Sequence, residues 1–240
     1  MITRSYIPMK HEMLKTTLFA VALFLGVSSA AGAGDLPRDG ARGSLLPPSE
    51  EKAFLERLKK VRSAVQTLDA AFKEERTVSP LDRELTYEGR LYYDAQGIFF
   101  MDYKKPIRHI LRVSASEAVS YVEGSSTADV MDISSMEGAG AHPHLFGWDG
   151  EGFQGSVRET PEVYVMEMPR GEAKGKSGAP RATIVLDKER LLPVKIQVVN
   201  GGGDRTIILL SDIHVNRELP PFVTDFSLPG DVKENRMGPQ

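Results

Sequence analysis

"GIFFMDYKKP", residues 97–106, is apolar on both sides when read as a strand: with a period of two, Ile98 and Phe100 face one way and Phe99, Met101 and Tyr103 the other. A strand half exposed to water carries one polar face, so this segment needs cover on two sides. Its neighbours place it in a sheet. Leu85, Tyr87, Gly89, Leu91 and Tyr93 alternate with Thr86, Glu88, Arg90 and Tyr92; upstream, Leu68, Ala70 and Phe72 alternate with Asp69, Ala71 and Lys73. Further strand patterns read at 107–113, 119–122, 128–133, 155–159, 163–168, 182–187, 194–199, 205–214 and 224–228. Most intervening stretches are short enough for hairpins, whereas parallel neighbours need crossovers of roughly a dozen residues or more, so the sheet is predicted to be antiparallel and meandering.

One helix precedes the strands. Ser49, Glu50 and Glu51 form a helix start with acids at the positive end of the dipole, and Phe54, Leu58, Val61 and Val65 fall on one stripe, predicting an amphipathic helix over 49–66. A short second helix is placed around 144–148. A sheet of about ten antiparallel strands curls, and its concave side must be filled. The predicted fold class is therefore mainly β with a few helices (α+β): a curved antiparallel sheet plugged by the N-terminal helix and the short second one. Helix residues Phe54, Leu58, Val61 and Val65 are expected to face Phe72, Leu91, Tyr93, Phe99, Met101 and Tyr103, lining either an apolar cavity or a closed core. In the cavity reading, Phe99→Glu blocks loading and spares the fold.

The chain has 240 residues, 41% of them apolar and 26% charged, which suits one globular domain. Arg4, Lys10 and Lys15 precede an apolar run at 18–27, followed by small residues up to Ala33, the order of a secretory signal peptide. The run is about ten residues, half of what a membrane-spanning helix needs. Residues 1–33 are thus expected to be a leader, with Met9 and Met13 as alternative starts, 34–48 a flexible segment rich in Gly and Pro, 49–232 a single domain and 233–240 a tail. A net charge of −3 argues against nucleic acid as a partner. Cysteine is absent, which leaves no lipid-modified cysteine and no disulfide, so a freely dissolved periplasmic monomer is expected.

Little in the sequence carries reactive chemistry. "VEGSSTAD" (122–129) sits between strands and does not open a helix, unlike a nucleophile elbow, and the glycines of "VVNGGGDRT" read as a hairpin turn rather than a phosphate cradle. His142 and His144, with Asp149 and Glu151 close by, are weak metal candidates; Gly-rich flanks and the intervening Pro143 favour an ordinary loop, and no metal or other cofactor is expected. His109 and His214 read as ordinary sheet residues. Acidic residues including Glu74, Glu75, Asp82, Glu84 and Asp102 could supply a pair for glycoside hydrolysis, although a solvated strand face accounts for them more simply. Lys104, Lys105 and Arg108 lie close enough together to meet an acidic partner.

The N-terminal helix, "VQTLDAAFKEER" leading into the first strand, "GRLYYDAQGIFFMDYKKP" and a closing "FSLPGDV" together resemble the periplasmic outer-membrane lipoprotein carrier family, LolA, over roughly residues 49–232. The resemblance implies an unclosed half-barrel of about eleven strands with helices as a lid over a cavity for acyl chains. It implies cargo taken from an inner-membrane exporter and delivered to an outer-membrane acceptor. It places Phe99 at an aromatic position near the cavity mouth and Met101 where an inward-facing tryptophan is common. The chain departs from the pattern in two places. Ala95-Gln96 stands where the family has an Arg-Pro whose arginine latches the lid, so another residue such as Arg90 would have to serve, and "SASE" at 114–117 replaces an Asp-Gly.

The function expected from these readings is a periplasmic carrier, not an enzyme, that shields the acyl chains of a lipoprotein or other envelope lipid during transfer. The alternatives are a lipid-sensing module that signals through a protein partner and a hydrolase of envelope lipids or glycans.

Overall fold

A computed structural model describes residues 43–78, 83–134, 153, 155–168, 181–199 and 203–237. The proposed leader, His142, His144, Asp149, Glu151 and the second helix placed at 144–148 lie outside the described residues. Among the described residues, thirteen strands form a single unclosed sheet. They are β1 (Ser44–Leu45), β2 (Thr67–Val78), β3 (Arg83–Asp94), β4 (Ile98–Lys105), β5 (His109–Val113), β6 (Glu117–Val122), β7 (Thr127–Asp132), β8 (Ser156–Glu159), β9 (Val163–Met168), β10 (Arg181–Asp187), β11 (Pro193–Val199), β12 (Arg205–Val215) and β13 (Lys233–Met237). Two helices accompany them, α1 (Pro48–Ala64) and α2 (Pro221–Thr224).

Two antiparallel meanders, β2 to β7 and β8 to β12, are joined side by side through β12 and β2, which leaves β1 at one edge and β13 at the other. The wide, twisted sheet is an open half-barrel, and α1 lies across its inner face. Phe54, Leu58 and Val65 of the predicted stripe are buried there and Val61 is half-buried, packed against residues from β2 to β6 and from β8 to β12. The helix begins one residue before Ser49, which makes no side-chain cap: Pro47 is the N-cap and Pro48 occupies the first turn, where a missing N–H costs nothing.

The two-sided strand is now accounted for. Phe99, Met101 and Tyr103 face α1, while Phe100 and the neighbouring Tyr92 face outward into a second, smaller cluster with Leu219 and Val223. The cover is the chain's own C-terminal segment. Phe222 meets Tyr92 and Phe100 edge-on at ring distances of 5.6 and 5.9 Å, and Phe226 meets Phe100 at 5.5 Å.

Three expectations need correction here. Residues 224–228 form no strand; 221–224 are α2, because Pro220 and Pro221 end the extended run and Pro221 suits the first helical position. Residues 233–237, expected as tail, form β13, and β13 pairs with β7 in parallel, so the sheet is not wholly antiparallel. The parallel pairing is possible because the chain between β12 and β13 is long enough to cross the outer face. Finally, 44–48 belong to the domain: β1 pairs with β8, and Leu46 is buried.

Candidate functional site

All ten sequence-predicted lining residues share the inner face. Phe54, Leu58 and Val65 come from α1 and its C-cap; Phe72 from β2, Leu91 and Tyr93 from β3, and Phe99, Met101 and Tyr103 from β4 lie in the same buried cluster, with Val61 packed on it. Register explains the grouping. Leu91 pairs with Met101, Tyr93 with Phe99 and Gly89 with Tyr103, so each hairpin neighbour presents its side chain to the same side. In this structure α1 is seated on that floor.

Among the described residues, α1 is held by polar contacts at identifiable places. Arg62 donates a hydrogen bond to the Tyr93 hydroxyl, and its guanidinium carbon lies 4.6 Å from the centre of the same ring. Arg57 Nη2 donates to the Lys188 carbonyl at 3.3 Å, and Phe54 packs on Tyr164 at 4.6 Å. The turn from α1 into β2 is fixed by Asn216. Its Oδ1 accepts from the Gln66 backbone N–H at 2.8 Å, and its Nδ2 donates to the Ala64 carbonyl at 3.0 Å. Its own N–H donates to the Thr67 carbonyl at 2.8 Å. Asn216 adopts φ 58°, a left-handed conformation that asparagine tolerates better than most residues.

Arg90 is not the substitute latch. It sits on the outer face, paired with Asp69 and, at 2.9 Å, with Asp212. The contacts between the β3–β4 turn and the helix are made instead by Ala95, which donates its N–H to the Gln66 carbonyl at 2.7 Å, and by Arg62 of α1, which reaches down to β3. The cations expected to meet an acidic partner are offset within the chain. Lys104 pairs with Asp102, Lys105 with Glu88 at 2.8 Å, and Arg108 with Glu123 at 3.1 Å.

Beyond Phe72 the inner face changes character. Glu74 and Arg76, 1% and 5% exposed, continue the inward stripe of β2. Arg76 Nε donates to Glu74 Oε1 at 2.5 Å, the Tyr103 hydroxyl donates to Glu74 Oε2 at 2.9 Å, and Arg76 Nη2 lies 3.4 Å from the Tyr103 oxygen. Tyr87 receives the guanidinium over its ring at 4.9 Å. His109 stacks on Tyr103 with ring centres 5.1 Å apart, and its Nε2 lies 2.9 Å from Ser120 Oγ. The expectation of a solvated face at Glu74 is thereby corrected. The signal for its burial is the unbroken alternation Leu68, Ala70, Phe72, Glu74, Arg76, which carries both charges inward.

Burial disfavours charge on Arg76, and the adjacent Glu74 more than offsets this, keeping the guanidinium protonated. Burial, helped by Glu74, pushes the Tyr103 phenol well above its ordinary range. Burial and then the charge of Arg76 lower His109 from 6.5 to about 4. His109 is therefore neutral in the folded chain at pH values where the unfolded chain already binds a proton, so stability is present above about pH 6.5 and is lost as pH falls toward 4, below which the contribution levels off. The shift is worth about 3 kcal/mol. Urea titrations between pH 7 and 4, with His109→Gln as the reference in which this dependence is missing, are expected to show that difference.

Among the described residues, no group of three His, Cys, Asp or Glu is placed to hold a metal, and no helix is long and apolar enough to cross a membrane.

No family model matches the sequence, and no curated protein matches it. Solved structures similar to this chain include a conserved protein from Thermus thermophilus, at 12% identity and TM-score 0.47, covering 78% of this chain and 99% of that one. They also include the LolA superfamily protein NE2245 from Nitrosomonas europaea, at 11% identity and TM-score 0.42, covering 73% and 98%. A third is the MucA/MucB complex of Pseudomonas aeruginosa, at 11% identity and TM-score 0.43, covering 77% and 62%. The likeness is one of general architecture.

Proposed function

We propose that this chain is an exported carrier that shelters acyl chains of an envelope lipid or lipoprotein on the inner face of its half-barrel, with α1 as the lid. The observation that carries the reading is a continuous apolar floor roofed by one amphipathic helix. Three buried side chains, Phe54 and Leu58 of α1 and Val65 at its C-cap, are docked on the floor. At 1.5–3 kcal/mol each, that is roughly 5–9 kcal/mol. An acyl chain of about ten methylenes gains about 8 kcal/mol on leaving water, enough to replace the helix on the floor. The exchange swaps one apolar cover for another, so loading and release need no catalysis.

The test begins with protein purified from its native compartment and mass spectrometry of what it holds; co-purifying acyl lipid is expected. Transfer of a fluorescent lipid between two vesicle populations should then accelerate in the protein's presence. Binding without transfer would favour a lipid sensor acting through a protein partner. No lipid on the protein, and no uptake of an apolar probe, would mean that α1 roofs an ordinary core.

A further inference from the structure

The polar end of the inner face has no evident purpose in a purely hydrocarbon site. A buried ion pair is often no more stabilising than apolar side chains of the same volume, and the stripe Leu68, Ala70, Phe72 could have continued apolar. Instead Glu74 and Arg76 follow, with Ile208 and Thr206 as their register partners on β12, and Tyr87 and Leu85 on β3. Each oxygen of Glu74 accepts one hydrogen bond, Oε1 from Arg76 and Oε2 from Tyr103. Arg76 is not saturated. Of its five N–H donors, Nε is given to Glu74 and one on Nη2 to Tyr103, and among the described residues no acceptor falls to Nη1. This guanidinium with donors to spare, beside Tyr103 and the His109 ring stacked on it, lies about 26 Å along β2 from Leu68, at the far end of the apolar floor.

The charge balance sets what can bind. Arg76 and Glu74 cancel, and His109 is held neutral by its surroundings. An anionic head would be drawn by Arg76 and repelled by Glu74 in nearly equal measure while giving up its own hydration, so it gains little. A neutral acceptor gains a charge-assisted hydrogen bond at small desolvation cost. We propose that this end of the inner face seats the uncharged, hydrogen-bond-accepting head of an acyl lipid, its ester or amide carbonyls on Arg76, with the tails along the floor from Phe72 to Leu68. The assignment rests on the carrier reading and names the lipid class for it.

The experiment uses the full chain, the neutral fluorophore N-phenylnaphthylamine as a probe of the floor alone, and two short lipids with equal tails, dioctanoylglycerol and dioctanoylphosphatidic acid. Wild-type protein is expected to bind the glycerol about tenfold more tightly than the phosphatidic acid. In the variant carrying Glu74→Gln with Arg76→Met, which leaves no buried charge unpaired, affinity for the glycerol should fall about tenfold while the fluorophore binds as before. Fluorophore binding with unchanged glycerol affinity in the variant, or a wild-type preference for phosphatidic acid, overturns the head assignment and leaves the carrier intact. Failure of wild type to bind either fluorophore or lipid overturns the carrier reading itself. Should the variant not fold, the wild-type preference still decides.

Discussion

Replacing Phe99 by glutamate is expected to lower affinity for a neutral apolar probe by more than about a hundredfold while the sheet stays folded. Phe99 is 1% exposed and lies in register between Tyr93 on β3 and Val113 on β5, facing α1. A carboxylate buried there costs several kcal/mol, an amount comparable with the helix's whole hold on the floor. The cheapest relief is to lift α1 and let water reach the new charge, because the backbone ladders of β3, β4 and β5 are untouched by the change. The floor then carries a charge that no acyl tail can cover. Arg62, on the Tyr93 hydroxyl, is the cation best placed to shield it. Phe99→Asn offers that arginine no charge and should give the same loss, whereas Phe99→Leu should retain binding. Probe titration reads the affinity, circular dichroism reads the sheet, and faster tryptic cleavage at the exposed Lys59 and Lys60 of α1 reads the lid. Collapse of the sheet signal in Phe99→Glu would make Phe99 a closed-core residue, and unchanged affinity would remove the floor as the binding surface.

The same segment shows how far pattern reading reaches. Its two apolar faces were legible because strand periodicity is local, and the stripe of Phe54, Leu58, Val61 and Val65 was legible for the same reason in a helix. The outer cover was harder to see. Leu219, Phe222, Val223 and Phe226 do follow helical spacing, but Pro220 and Pro221 interrupt it, and α2 is too short to announce itself by period. Nothing local marks β1 or β13 either. β1 has two residues, and β13, with Lys233, Glu234, Asn235 and Arg236 exposed, is held by backbone pairing to β7 rather than by a buried face. Asn216 carries no local signal of its role because its partners, Gln66, Thr67 and Ala64, are some 150 positions away. Glu74 and Arg76 are the instructive case. Charge argued for solvent at Glu74; continuing the alternation of Leu68, Ala70 and Phe72 is the better guide, because the counterion Arg76 stands two residues away on the same face.

That pair also permits a test of what it is for. Arg76→Met alone is expected to destabilise the fold by about 3–5 kcal/mol, because it leaves the Glu74 carboxylate buried without its cation and with only the Tyr103 hydroxyl for support. Adding Glu74→Gln should recover most of the loss: the amide oxygen can still accept from Tyr103, and no charge remains to be desolvated. Urea unfolding of wild type, both single variants and the pair, at pH 7, gives the coupling between the two residues directly. A double variant within about 1 kcal/mol of wild type would mean that the fold does not need the ion pair, and a charge retained on the inner face without benefit to stability is explained by what it holds there. A double variant as unstable as Arg76→Met alone would show instead that the pair aligns β2 with β4 through Tyr103, and the polar end of the trough would then be scaffold, with no ligand required to account for it.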